Sequence, residues 1–398
     1  MNNAIFQALG TQTVFARGGG GGSHSGGGGH SGGSYGGSSY GSSGGSSTGG
    51  LWVYFVIFGF MALLQILKHI VAKRKKRADS LPMARSEDPL EARVTEVFNA
   101  FQDGWSNFKV EGLIPYLTDE YYRRIVLELN VLHAMNRQNV MKGCVIHSIA
   151  IPTQREGMVS FVAQVKAVAQ DVLLDTKANS TLYMNSEPFT EYWSFISVGG
   201  VWKLDLISQE TEASELISDS ILQFAKRNGF FFDPDFGSLM LPEKGALFSQ
   251  ATFATADINN HVIGFYRNKI VEFYTYQPQA DDSFTTPSYV MAQVVLPSQY
   301  RDILISRRGF WSRPPKGMVE RTLESPDFTK KFTLYSDPLD QVSSWVLLTP
   351  SFMERLTAIP FEINIEVIGN CLYFYTKDST VEYDTLLEVV SWAFDELK

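Results

Sequence analysis

The chain has 398 residues, more than one hydrophobic core usually organises, so two folded units with accessory segments are expected. Its composition is globular on average, 44% hydrophobic and 19% charged, but the first 77 residues hold seven Lys or Arg and no acid. That leaves 27 basic against 42 acidic residues, a formal charge of −15, which argues against a nucleic-acid-binding domain.

Residues Gly18 to Gly50 contain 18 of the 33 glycines and ten serines, a composition that buries nothing and predicts a flexible coil. His24 and His30 lack the further ligands a metal needs. Residues 1–17 lack the basic start and apolar run of a signal peptide. From Leu51 the chain is apolar or glycine through Leu64, and Lys68 near the end can extend its ammonium to the headgroups, so 51–71 is expected to be a transmembrane helix. Trp52 and Tyr54 suit the opposite interface.

The basic cluster Lys73, Arg74, Lys75, Lys76 and Arg77 follows the span, whereas the tail carries only Arg17. The positive-inside rule then places the N-terminus outside and the C-terminal domains in the cytoplasm, at the inner membrane of a cell. The same cluster is the candidate site for anionic lipid headgroups.

Beyond the basic juxtamembrane linker 72–87, Asp88 reads as an N-cap with Pro89 at the first helical position. Leu90, Val94, Val97, Phe98, Phe101 and Trp105 recur at steps of three and four, predicting an amphipathic helix to about Trp105. A second helix is expected from Thr118, with Tyr122, Ile125, Val126, Leu129 and Leu132 on one face and His133 at its border. After Gly143 the period falls to two: Val145, His147, Ile149 and Ile151 are expected on one face of a strand, followed by strands at 159–167 and 189–198 and a Gly199–Gly200 hairpin into 201–206. Helices followed by an antiparallel sheet imply an α+β domain whose sheet curls over the helices and tends to enclose an apolar cavity. Its candidate lining, chosen by size and position, is Phe98, Phe101, Trp105, Tyr116, Tyr122 and Trp193.

The run EVFNAFQDGW, the segment YLTDEYYRRIVLEL, and FTEYWSFI followed by VWKLDLI resemble the Tim-forty-four-like family over about residues 88–209. The glycine-rich tail and single span before them are similar to its bacterial, membrane-anchored branch. The resemblance implies a nuclear-transport-factor-two-like cone with a deep apolar pocket, association with anionic lipid, and recruitment of a translocase, chaperone or ribosome in protein transport. Glu191, Tyr192 and Trp193 match the family residue by residue, in a structural role.

A linking helix is expected within 210–228, and a second α+β domain over 229–398. In the latter, strands are predicted at 262–266, 270–276 and 289–296, with a hairpin turning at Gly369 and Asn370 and helices at 350–356 and 385–397. The segment FTLYSDPLDQVSSWVLLTPSFMERL with NCLYFYTKD resembles a family of uncharacterised bacterial membrane-associated domains, which supplies no chemistry. The basic stretch RRGFWSRPPK is read either as a loop that packs Phe310 and Trp311 or as a peripheral membrane contact through Arg307, Arg308 and Arg313.

Cys144 and Cys371 form no CxxC or Cys/His spacing, so reduced thiols and no metal are expected. His147, Asp171 and Glu191 are the strand residues that could face the cavity as acid or base, but no GxSxG, HExxH, Walker or dinucleotide motif accompanies them. The sequence therefore points to a membrane-tethered, non-catalytic binding or scaffold protein, without cofactor, that binds a lipid or hydrophobic peptide or recruits transport partners. The alternative is a small-molecule isomerase or hydrolase using the cone cavity.

Overall fold

A computed structural model describes residues 88–153, 156–209, 219–233, 237–248, 257–278, 287–311, 313–339 and 348–396, besides a short antiparallel ribbon pairing Val14–Arg17 with Gly20–Ser23. The expected span, the Lys73–Arg77 cluster and most of the glycine-rich tail lie outside the described residues. Among the described residues no helix is long and apolar enough to cross a membrane. The ribbon and the residues from Arg93 onward belong to one compact unit; the other, Gly26–Ala92, is described only at its end, where the Asp88 carboxylate accepts from Leu90 N–H at 2.9 Å and caps the first helix.

The architecture is α+β with curved antiparallel sheets. In the first half, helices α1 (Pro89–Ser106) and α2 (Asp119–Ala134) pack on strands β1 (Arg137–Ala150), β2 (Ser160–Asp175), β3 (Ser180–Asn185), β4 (Phe189–Val198) and β5 (Val201–Gln209). The sheet order is β1-β2-β4-β5, with β3 also pairing β2. Val94, Val97, Phe98, Phe101 and Trp105 of α1 are all buried, as the helical period predicts. Thr118 caps α2 by accepting from Tyr121 N–H, and its hydroxyl donates to Asp205 at 2.7 Å, tying the start of α2 to β5.

The expected face of β1 is reversed at Val145 and His147 and regained at Ile149, which pairs with the buried Val165 after a second register shift between Ile146 and Ser148. Gly143 takes φ +62 and the β1–β2 register shifts between Lys142 and Val145, so an extra residue flips the parity of the strand beyond it. Val145 and His147 are exposed instead of facing the core.

Helix α3 (Asp219–Asn228) leads into the second half, which starts with β6 (Phe231–Phe232), β7 (Asp257–Tyr266), β8 (Lys269–Gln277), β9 (Tyr289–Val295) and β10 (Ile303–Arg307). Then come β11 (Val319–Arg321), α4 (Pro326–Lys331), β12 (Phe332–Ser336), α5 (Pro350–Ala358), β13 (Asn364–Ile368), β14 (Cys371–Thr376) and α6 (Tyr383–Glu396). These strands form one nine-stranded sheet in the order β11-β12-β10-β13-β14-β9-β8-β7-β6. One face is apolar, with Val271, Phe273, Val294, Ile305, Ile365 and Phe374 packed in a core that includes Phe224, Phe352, Leu386 and Val390 from the helices. The alternate residues, among them Glu272, Tyr274, Gln293, Glu366, Tyr373 and Tyr375, are also buried, on a face rich in tyrosine and acid.

The RRGFWSRPPK stretch is a packing loop at its aromatic part: Phe310 lies 6.0 Å from the Tyr375 ring, Trp311 packs edge-on against it at 5.1 Å, and Arg307 covers Phe332 at 5.2 Å.

A Cβ added at Gly264 in β7 would stand 2.7 Å from Cγ and 3.0 Å from Cβ of Phe230. Phe230 cannot yield freely, since Phe224 and Phe273 hold its ring at 5.7 and 6.2 Å. Gly264→Ala is therefore expected to lower stability by about 1–3 kcal/mol, read as a drop in the urea midpoint without a change in slope.

Candidate functional site

The interior of the first half brings together four of the six expected pocket residues, but in contact with one another. Trp193 meets Phe98 at 5.2 Å and Phe101 edge-on at 5.7 Å, and Phe101 stacks with Trp105 at 6.2 Å. All four are essentially inaccessible. The fifth ring of the cluster is Tyr121, 6.1 Å from Phe101, rather than Tyr122, which is half-buried. Tyr116 is also half-buried, under the Arg93 guanidinium at 5.2 Å.

Of the three expected cavity acids or bases, Asp171 and Glu191 face inward and are 1% exposed, whereas His147 faces out because of the bulge at Gly143. Both carboxylates receive donors: Trp105 Nε1–H donates to Asn139, whose amide donates to Asp171 at 2.6 Å, and Trp193 Nε1–H donates to Glu191 at 3.0 Å. They thereby orient two indoles within the core. Burial, with Glu191 and Asp171 adding to it, raises the Cys144 thiol to about 11, and burial raises Cys371 to about 12.

A second polar cluster joins the two halves. Arg124 and Glu128, one turn apart on α2, meet Asp233, which follows β6, and His261 and Glu272 on the paired strands β7 and β8. Arg124 Nε lies 3.2 Å from Glu128 and 3.9 Å from Asp233, and its guanidinium covers the Tyr121 ring at 4.6 Å. His261 places Nδ1 3.2 Å from Asp233 and Nε2 3.0 Å from Glu272, so both ring nitrogens face carboxylates and the imidazolium, a donor at both, is the form that fits. No side chain of the five is more than 5% exposed.

Burial alone would pull the His261 pKa down, but the hydrogen bonds to Asp233 and Glu272 outweigh it and raise it to about 10. Burial, reinforced by Asp233, raises Glu128 well above the usual carboxylate range despite Arg124. Burial raises Glu272 as well, so three acids face two cations in a cluster that disfavours carrying all three carboxylates charged. Sequence reasoning missed this cluster because Arg124 and Glu272 are far apart in the chain and carry no motif.

An open concavity among the described residues lies on the helical layer of the second half, a groove of about 530 Å³ between α5 and α6 and the segments that follow α5 and β14. Ile359, Pro360, Phe361, Val381, Val389 and Trp392 supply apolar walls, while Arg355 and Glu388 supply opposite charges. Arg355 is held 3.1 Å from Asp395, which also binds Arg267 at 2.7 Å; these two cations hold the Asp395 carboxyl below its usual range. Among the described residues no group of His, Cys, Asp or Glu is arranged to hold a metal ion.

A family described as a protein of unknown function (DUF3137) matches residues 290–381, a span that runs from β9 to Val381 and includes one wall of the groove. No curated protein matches the chain. The crystal structure of the mycobacterial trehalose monomycolate transport factor A, TtfA, is a distant likeness: 15% identical, covering 45% of this chain and 93% of that chain, with a TM-score of 0.34.

The junction predicts a pH dependence of definite sign. A His261 pKa raised from 6.5 to about 10 gives a contribution to stability that is complete below about 6.5 and is lost as pH rises to about 10. Glu128, raised from 4.5, slopes the same way, complete below 4.5 and declining as pH rises. The thermal midpoint is therefore expected to fall between pH 6.5 and 10, and His261→Gln to flatten that fall. Arg124→Met, which strands the buried carboxylates, is expected to cost about 3–5 kcal/mol in denaturant unfolding.

Proposed function

We propose that the protein is a membrane-tethered, non-catalytic binding protein whose working feature is the groove between α5 and α6, which takes an amphipathic ligand, a hydrophobic peptide segment or a lipid. The observation that carries this reading is the contrast between the two concavities. The first half is filled at its centre by Phe98, Phe101, Trp105, Tyr121 and Trp193, whereas the second half offers about 530 Å³ of apolar walls with Arg355 and Glu388 to orient a ligand.

Membership of the Tim-forty-four-like family, with a nuclear-transport-factor-two-like cone, belongs to the same proposal; a helix pair on a curved antiparallel sheet supports it. So does a single span at 51–71 with the folded body on the cytoplasmic side, supported by the apolar run and the Lys73–Arg77 cluster. In this reading the chain recruits a protein-transport partner, such as a translocase, chaperone or ribosome, or holds lipid. The buried carboxylates serve packing, Glu191 by accepting from the Trp193 indole and Asp171 by holding the Asn139 amide that accepts from the Trp105 indole.

The test is purification of the full chain from membranes after in-cell crosslinking, with proteins and lipids identified by mass spectrometry, for the native chain and for Trp392→Ala. A stoichiometric partner or lipid is expected with the native chain, and a loss of at least about tenfold in the variant, since a half-buried tryptophan is a typical anchor. Equal recovery from both would dismiss the groove as the site.

A further inference from the structure

The charges around the groove between α5 and α6 are of two kinds. The cations held on or against these two helices are committed within the body. Arg355 lies 3.1 Å from Asp395, Arg267 meets the same carboxylate at 2.7 Å and the Ser391 hydroxyl at 2.8 Å, and Arg227 meets Asp384 at 2.6 Å. Lys331 donates to Thr357 O, near the end of α5, at 2.8 Å, and Lys377, the neighbour of Asp378, turns its ammonium onto the Phe310 ring at 4.2 Å.

The acids that line the groove are uncommitted. Helix α6 contains no Lys or Arg, and Glu388 at its middle is exposed and makes no ion pair among the described residues. Asp378 accepts only from Thr380, through backbone N–H at 3.0 Å and the hydroxyl at 2.6 Å, and these donors hold its carboxyl below the usual range. Both carboxylates border apolar walls: Ile359, Val381 and Val389 are buried, while Phe361 and Trp392 are half-buried, with Trp392 one turn beyond Glu388 on the same face of α6.

A groove between two helices suits an amphipathic helix laid in with its apolar face down. A Lys or Arg on the margin of such a helix meets a free carboxylate, whereas an anionic headgroup meets like charge. Membrane lipids are anionic or zwitterionic; a peptide is the ligand that joins apolar side chains to unbalanced cations. We propose that the groove selects a cationic amphipathic peptide segment, with apolar side chains on Ile359, Phe361, Val389 and Trp392 and a Lys or Arg against Glu388 or Asp378. This rests on the reading that the groove is the working site, and it decides between the two ligand classes of that reading in favour of the peptide.

The experiment titrates the full chain, purified in a non-ionic detergent, by fluorescence anisotropy against three labelled probes: a leucine–lysine amphipathic helical peptide, its counterpart with Glu in place of Lys, and phosphatidylglycerol. The Lys peptide is expected to bind at least about tenfold more tightly than the Glu peptide, a preference that added salt erodes. Glu388→Lys, at an exposed position that leaves the fold intact, should weaken the Lys peptide by about fivefold or more and strengthen the Glu peptide. Glu320→Lys on β11, the same charge change at an exposed site away from the groove, should do neither. No binding of the Lys peptide, equal binding of the two peptides, or equal effects of the two charge changes would overturn the cationic selection. Phosphatidylglycerol bound more tightly than the Lys peptide, with that binding lost in Trp392→Ala, would overturn the peptide and keep the groove. Affinities for all three probes unchanged in Trp392→Ala would instead overturn the groove reading itself, and the proposal with it.

Discussion

Five ionisable side chains taken out of water at one point decide how the body is put together. Helix α2 closes the first core with Tyr121, Ile125 and Leu132 and offers Arg124 and Glu128 to the second sheet, so one helix serves two cores. Removing such groups from water costs several kcal/mol per ion, and the cost is offset only when each charge has partners at good geometry. Asp233, His261 and Glu272 supply that geometry only if β6, β7 and β8 are in register and seated against α2. Correct pairing at the edge of the second sheet and correct docking of the first half are therefore one event.

The two faces of the nine-stranded sheet divide the work accordingly. The apolar face collects the helices and leaves room between α5 and α6 for the groove. The other face buries tyrosines and acids against loops and the first half: Glu366 accepts from Ala246 N–H at 2.6 Å, and Phe248 packs on Tyr276 and Tyr373 at 5.3 and 5.0 Å. Burial raises Glu366 to about 7, against the pull of the Ala246 and Leu247 amides. Hydrophobic burial holds the outer helices and polar satisfaction positions the inner contact.

Local signals carried the helices well. The Asp88 and Thr118 caps and the three-four spacing of Val94, Val97, Phe98 and Phe101 describe helices that start where expected, because caps and periodicity act within a few residues. The β4–β5 and β13–β14 hairpins turn at the glycines that mark them. The strand β1 was misread at Val145 and His147, since a bulge shifts parity without leaving a pattern of its own. The aromatic cluster was found but its packing was not, as size and position do not say whether rings meet a ligand or each other. The Arg124–His261 junction and the groove both depend on segments far apart in sequence, and alternation had little to show where both faces of the second sheet are buried.

The strand order of the second sheet also bears on biosynthesis. The hairpin β13–β14, made late in the chain, lies between β10 and β9 and is the seam that joins the β11-β12-β10 and β9-β8-β7-β6 groups. Until residues 364–376 leave the ribosome, those groups present two unpaired strand edges towards each other, β10 and β9, both largely apolar. A nascent chain stalled before that point is thus a candidate for chaperone binding or edge-to-edge aggregation, and the late hairpin is the step that ends the exposure.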